Sequence, residues 1–320
     1  MRPVTGLHHV TAIAGPAQEN LDFYAGVLGM RLVKRSVNQD DPGTYHLFYA
    51  DAEGRPGTDL TFFPWSHVAP SRDGHGLSSE VSLAIPAGSL PFWLGRLAHY
   101  RVTMDPVETR FGDAVIPLVD PHGLRVALVE SEGASARPFT PWTGGSVPSP
   151  QQIRGLDGAR MLEADLPTTV AFLRDVLGFG PLGVEGPWHR YGVNGGGSGA
   201  YVDLQALPAA RRGAWGIGSI HHLAWRVDDE VHQLALREQI GAAGRRPTPV
   251  IDRFWFQSVY FLEPGGVLFE LATDGPGFAV DEDPAHLGES LVLPPWLEAS
   301  RPQIEAALPP LRLPVTSASR

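Results

Sequence analysis

The chain contains no cysteine in its 320 residues. That removes disulfide bridges, thiolate nucleophiles and thiolate metal ligands together, so any metal must be held by nitrogen and oxygen. Long apolar runs are missing too. No stretch approaches the roughly 20 residues of a membrane span, and MRPVTGLHH lacks the apolar core of a signal peptide. The default expectation is a cytoplasmic protein with no membrane partner. Positive charge is scarce: 25 Lys and Arg face 35 Asp and Glu, for a net charge of −10. With no concentrated basic patch, a nucleic-acid surface is not expected, and a small molecule is the better partner.

What is present reads as a soluble globular protein, 43% hydrophobic and 19% charged, long enough for two domains. Its most informative feature is a histidine doublet that occurs twice, His8 and His9 in GLHHVTAIA, then His221 and His222 in SIHHLAWRV. Each doublet opens a short apolar, β-branched run that reads as a strand. The second is followed by VYFLEPGGVLFELA, a hairpin carrying Glu270. Two imidazoles and one carboxylate form the ligand set of a mononuclear non-haem iron site.

The chain also repeats itself. NLDFYAGVLGM at 20–30 matches TVAFLRDVLGF at 169–179 with an offset of 149, aligning Phe23 with Phe172, Leu28 with Leu177 and Gly29 with Gly178. Both segments have apolar residues at helical spacing. Pro16 and Pro167 suit a first turn, and the glycines suit left-handed caps. Each helix follows a strand and precedes two or three more, so the repeating unit is β-α-β-β-β. Two further units are legible around SEVSLAIP and HHLAWRV, placing four modules at about 6–65, 76–130, 155–204 and 217–273.

The resulting fold class is α+β. The chain divides into a first half (1–135, modules one and two), a Pro-, Gly- and Ser-rich linker (136–154) and a second half (155–275, modules three and four). A Pro-rich extension (276–320) follows, with one short helix expected on the body and no obvious catalytic set in it.

Neighbouring residues on a strand point to opposite faces, so only one histidine of each doublet can face a given interior. We place His9, accompanied by Thr11, and His222 inward. If Pro264, Gly265 and Gly266 make the hairpin turn, Glu263 pairs with Val267, and Tyr260 lies opposite Glu270 on a shared face. The other modules lack the set: Ala127 stands where Glu270 does, Leu162 where His222 does, and module one has Phe62 near the late-strand position. Asp203 falls near the Glu270 position of module three, but that module has no histidine. A metal barrel would therefore join modules one and four and leave two and three to form a metal-free barrel.

Taken singly, these residues have ordinary readings, a hydrogen-bonded core histidine or a surface carboxylate. Burial favours the metal. A glutamate between Phe269 and Leu271, and a histidine amid Leu and Ala, are costly inside a protein unless paired or ligated.

The chain resembles the vicinal-oxygen-chelate superfamily, the glyoxalase, bleomycin-resistance and extradiol-dioxygenase fold of paired βαβββ modules. It is similar in particular to two-domain ring-cleaving dioxygenases acting on hydroquinones. The matching residues are GLHHVTAIA, FYAGVLGMRLVKRSVNQDDPGTYHLFYAD, GSIHHLAWRV, IDRFWFQSVYFLEPGGVLFELATD and LPPWLEA, nearly end to end. The resemblance implies Fe(II) held by His9, His222 and Glu270, with open positions for water, substrate and O2. It further implies that Arg253, Tyr260, Thr11, His221 and His8 line the pocket.

Arg253 also reads as a surface cation beside Asp252, and Phe254, Trp255, Phe256 and Phe269 as either pocket walls or plain core. The expected partners are a small aromatic substrate and O2, and a homo-oligomer is compatible with this reading. Mn(II) is an alternative metal. A catechol extradiol dioxygenase, a non-redox lyase or isomerase of the glyoxalase type, and a metal-free binding protein are the alternative functions.

Overall fold

The computed structural model describes residues 2–313. Module one comprises β1 (Leu7–Ala14), α1 (Ala17–Leu21), β2 (Arg31–Asn38), β3 (Asp41–Ala50) and β4 (Asp59–Pro64). Module two comprises β5 (Leu77–Pro86), α2 (Leu90–His99), β6 (Thr103–Met104), β7 (Glu108–Arg110), β8 (Asp113–Val119) and β9 (Arg125–Ser131). Module three comprises β10 (Gly155–Glu163), α3 (Leu166–Phe172), β11 (Gly180–Glu185), β12 (Trp188–Gly192) and β13 (Tyr201–Ala206). Module four comprises β14 (Ile220–Val227), α4 (Glu230–Ala242), β15 (Ile251–Asp252), β16 (Gln257–Leu262) and β17 (Leu268–Thr273). No helix among the described residues is long and apolar enough to cross a membrane.

The two matched helical segments form, with one difference. α1 runs into a wide π-helical turn at Asp22–Val27, and α3 into another at Leu173–Leu177. The Leu28 N–H donates to the Phe23 carbonyl at 2.8 Å, five residues back. Apolar spacing over so short a span cannot separate this turn from an ordinary helical one. The expected caps hold: Gly29 and Gly178 have φ of 70° and 82°.

The strands make two curled half-barrel sheets. One has the order β15-β16-β17-β14-β1-β4-β3-β2, and the other β11-β12-β13-β10-β5-β9-β8-β6, with β7 paired to β8. Modules one and four thus share a sheet, and modules two and three share the second. In the first, β1 and β14 pair antiparallel at the centre, each flanked by a parallel partner, β4 and β17. All eight residues of β1 are buried, which is why it lacks the apolar–polar alternation of a half-exposed strand.

The Pro-rich linker is not slack. The Arg137 guanidinium donates to the Gly57 carbonyl at 2.7 Å and to the Leu156 carbonyl, and the Thr140 N–H donates to Asp51 at 3.1 Å. In the extension, the expected short helix is α5 (Arg301–Ala307), which buries Ile304. The ammonium of the fully buried Lys34 donates to Asp281 at 2.7 Å and to Glu282. Residues 314–320 lie outside the described residues.

The two sheets meet at a pair of buried carboxyls. Glu163 ends β10 of the second sheet, and Glu263 opens the β16–β17 turn of the first. The Thr169 hydroxyl sits between them, 3.3 Å from Glu163 and 2.9 Å from Glu263. Glu263 also accepts the Gly265 and Val267 N–H groups, each at 2.8 Å, whereas Glu163 Oε1 has no partner. Gly265 must be glycine, because a Cβ there would fall on the Glu163 carboxyl.

Burial, and then the Glu263 charge, push Glu163 up to about 8 from 4.5, against the pull of Arg212 and Thr169. The folded state thus keeps a proton that the unfolded chain gives up. Stability contributed by the neutral Glu163 is full below about pH 4.5 and is lost progressively as pH rises to about 8. Over that window the unfolding free energy should fall by at least about 1.4 kcal/mol, the equivalent of one pKa unit. Chemical denaturation across the window should show this fall in the wild type and a flatter profile in Glu163→Gln. Equal slopes would refute the assignment.

Candidate metal centre

The register of the first sheet brings three side chains from opposite ends of the chain to one point. Thr11 faces His222 across β1 and β14, Ala224 faces Glu270 across β14 and β17, and Tyr260 faces Glu270 across β16 and β17. His9 Nε2 and His222 Nε2 lie 3.2 Å apart, and Glu270 Oε2 lies 3.2 Å from the first and 3.0 Å from the second. All three residues are buried, at 2%, 3% and 0% exposure. They are the one His, Cys, Asp or Glu cluster among the described residues with donor atoms close enough to hold a metal.

The arrangement fits a metal on its own chemistry. Ser258 Oγ donates to Glu270 Oε1 at 2.5 Å, but Oε2 has no hydrogen-bond donor although it is buried. Burial would raise the Glu270 carboxyl, yet the two imidazoles hold it well below its usual range. Burial lowers both imidazoles; the Glu270 charge overcomes this at His9, which is shifted up, but not at His222, which stays shifted down. An anion facing two buried nitrogens calls for a cation. Donors about 3 Å apart suit adjacent positions around a metal with bonds of about 2.1 Å.

Strand parity expected each doublet to split between the two faces of the sheet, and here the structure corrects it. The pairing of β1 with β14 skips at His8 and again at His221, two β-bulges that break the alternation. The bulges turn the first histidine of each doublet back toward the second: His8 Nδ1 lies 2.9 Å from His9 Nδ1, and His221 Nδ1 lies 2.8 Å from His222 Nδ1. Burial, and then the neighbouring histidine, lower His8 well below its ordinary value and bring His221 to about 3, so both stay neutral.

With Nε2 of His9 bare for ligation, its Nδ1–H donates to His8 Nδ1. His8 in turn holds its proton on Nε2, 3.1 Å from the Thr273 carbonyl. Such partners fix the tautomer and orientation of a ligating histidine.

The second sheet has the same two bulges, at Asp157 and Ser79. They give the true correspondences. The counterpart of His222 in module three is Gly158, two residues before the Arg160–Asp203 pair, and not Leu162. The Leu162 placement is four residues out (162 minus 158), because it matched residue types along the strand rather than the bulge that sets the pairing. In module one the counterpart of Glu270 is Thr61, paired with Thr11 and next to Phe62. Ala127 holds as expected, opposite Ser82. Asp203 does occupy the Glu270 position, but it accepts from Arg190 at 2.7 and 3.0 Å, while Arg110 donates to Glu80. Ion pairs fill the place where the first sheet has its triad.

A pocket of about 380 Å³ opens onto His9 and His222. Arg253 and Tyr260 line it, as do Trp255 and Phe256. The partner of Arg253 is Asp40, at 2.9 Å, rather than Asp252, which instead accepts the Phe254 N–H. Thr11, His8 and His221 stand behind the lining. Thr11 is fully buried against Thr61 at 2.7 Å, and the His221 ring stacks on Trp215 at 4.8 Å. Phe269 is core.

Sequence reasoning missed the contribution of module one: Asn38, Gln39, Asp40, His46, Phe48 and Phe63 also line the pocket. It missed Asp59 too, buried beside His9 on β4 with neither oxygen partnered and pushed up to about 7 by burial against the pull of His9. The extension does bear on the site, since Asp281 accepts from the Trp255 indole at 3.1 Å.

The family model described as the Glyoxalase/Bleomycin resistance protein/Dioxygenase superfamily matches residues 6–128 and 155–271. MhqO of Bacillus subtilis (strain 168), provisionally named a ring-cleaving dioxygenase, is 44% identical over 308 residues, covering 96% of this chain and 97% of that protein. The chlorohydroquinone/hydroquinone 1,2-dioxygenase of Sphingobium indicum is 33% identical over 309 residues, covering 94% and 95%. A crystal structure of a provisionally named dioxygenase from B. subtilis superposes with a TM-score of 0.92 at 42% identity, over 98% of this chain and 99% of that one.

The geometry predicts the outcome of metal analysis after dialysis against Fe(II) under anaerobic conditions. His9→Ala, His222→Ala and Glu270→Ala should each lose stoichiometric binding. His8→Ala should keep its metal, with affinity lowered about 10- to 100-fold by loss of the imidazole that orients His9. Full occupancy in Glu270→Ala would refute the assignment.

Proposed function

We propose, for a chain that belongs to the Glyoxalase/Bleomycin resistance protein/Dioxygenase superfamily, that it is an Fe(II)-dependent dioxygenase opening a hydroquinone-type, 1,4-dihydroxylated aromatic ring with O2. The observation that carries the reading is the His9, His222 and Glu270 triad, whose two imidazoles line an aromatic-walled pocket. The name of the Sphingobium indicum relative supports the substrate class. The presence of a single carboxylate supports iron over the Zn or Ni of a lyase, while Mn(II) suits the same donors. The matched residues support reading the chain as halves 1–135 and 155–275, joined by 136–154.

His9, His222 and Glu270 would hold the metal, which when bound supplies redox chemistry toward O2 and favours the ionised form of a phenol. The protein orients these donors. Ser258 fixes the second Glu270 oxygen, and His8 and His221 fix the ligand rings. Phe48, Phe63, Trp255 and Phe256 give a flat ring apolar walls and exclude water.

The Arg253 guanidinium, 5.4 Å from the Tyr260 ring, supplies positive charge at the wall where oxygen charge develops. Arg253 is the only cation lining this pocket among the described residues. Tyr260 keeps its proton, because burial and then Glu270 raise it above its ordinary value, so its hydroxyl can donate to or return a proton to substrate oxygen. His221 has its Nδ1 engaged with His222 and orients that residue.

Oxygen uptake by anaerobically Fe(II)-loaded protein, given methylhydroquinone with catechol as control, tests the reading. Uptake with methylhydroquinone is expected, and Arg253→Met should lower kcat/KM by about 10²-fold. Uptake with catechol alone would move the protein to the catechol class. No uptake with either would overturn the dioxygenase reading.

A further inference from the structure

His46 lies on β3, in the order β1-β4-β3, and therefore two strands from His9. It lines the same pocket but has no part in the triad. Its Nε2 lies 2.9 Å from Thr61 Oγ1, and Thr61 Oγ1 lies 2.7 Å from Thr11 Oγ1. Both threonines are fully buried. The His46 ring packs against Phe48 and Phe63, at 3.8 and 4.4 Å between centroids. Among the described residues its Nδ1 has no hydrogen-bond partner, and the residue as a whole is only half-buried.

The protons of this short chain can be ordered in two ways. If His46 carried its proton on Nε2, Thr61 would accept it and donate to Thr11. The Thr11 hydroxyl proton would then have no acceptor in a fully buried position, which is costly. In the reverse order Thr11 donates to Thr61, and Thr61 donates to His46 Nε2. Every proton is placed, and the ring's own N–H moves to Nδ1. Burial, reinforced by His9, His222 and Arg253, keeps the ring neutral.

We propose that His46 is a specificity-determining residue, its Nδ1–H donating to the ring hydroxyl that lies away from the triad. The proposal rests on the hydroquinone reading above. A 1,4-diol has its second oxygen on the far side of the ring from the first, so one end can sit at the triad while the other meets His46. A 1,2-diol keeps both oxygens at one edge, and a monophenol has no second oxygen. A site built to donate to a hydroxyl rejects the analogue that lacks it.

Anaerobic equilibrium binding to the full-length Fe(II)-loaded protein, followed by tryptophan fluorescence, tests this without turnover. Wild type should bind hydroquinone at least about tenfold tighter than phenol. His46→Leu should collapse that ratio toward one, by weakening hydroquinone far more than phenol, with metal content unchanged. His46→Gln, which keeps an N–H donor, should restore much of the ratio.

Thr61→Val provides a second readout should His46→Leu fail to fold. Freed from the relay, His46 can move its proton to Nε2, so the ratio should fall there too. An unchanged ratio in a folded, metal-replete His46→Leu, equal weakening of both ligands, or no hydroquinone preference in wild type would overturn the proposal. Binding that depends on His46 in a protein that takes up no O2 would support this inference and sink the dioxygenase reading instead. Oxygen uptake without His46-dependent binding would do the reverse.

Discussion

The antiparallel pairing of β1 with β14, in the register that sets Thr11 opposite His222, is the constraint on which the molecule depends. It closes the first module onto the last and puts two histidines 213 positions apart (222 minus 9) within 3.2 Å. A slip of one residue along this pair would turn His9 and His222 to opposite faces and leave Glu270 buried without a counter-charge. The parallel additions of β4 and β17 then follow, one bringing Thr61 and the other Glu270. Modules two and three, left between them, pair with each other by the same rule.

The bulges show one backbone device used twice for different ends. In both sheets the central pair skips a residue on each strand, so the skipped side chain turns beside its neighbour. In the first sheet those positions carry His8 and His221, and each sets an imidazole against the ring of His9 or His222. In the second they carry Asp157 and Ser79, next to Gly158 and Glu80, and no ligand set results. Arg110, Arg160 and Arg190 neutralise the buried acids there. The buried Glu80 and Asp203 are thus already paired with arginines, with Arg160 Nε 3.8 Å from the first and 3.9 Å from the second.

Much of this was legible in the chain. The strand-helix-strand modules follow from the apolar periods and the paired Gly29 and Gly178 caps. The Pro264–Gly266 turn fixes Tyr260 opposite Glu270 because the register of a hairpin is set by its loop length. Other features were not legible. A bulge leaves no mark in hydrophobicity, so strand parity did not foresee His8 and His221 turning back beside their neighbours, and the ungapped alignment of module three set Leu162 where Gly158 stands. The wide turn after α1 escaped for a similar reason, since a one-residue change in hydrogen bonding leaves the same residues buried.

The sequence by itself determined the chemistry available: no thiolate, two histidine doublets, one glutamate in an apolar strand, and a fourfold module to carry them. Those are properties of residue type and local spacing, which a chain holds before it folds. Only the tertiary structure decided which groups meet. His46, Asp40 and Phe63 reach the pocket because β2, β3 and β4 curl round beside β1. Arg253 finds Asp40 rather than the adjacent Asp252, and Asp281 from the extension secures Trp255 in the wall. Each of these contacts joins residues distant in sequence, and their geometry is set by sheet curvature and packing rather than by any local preference.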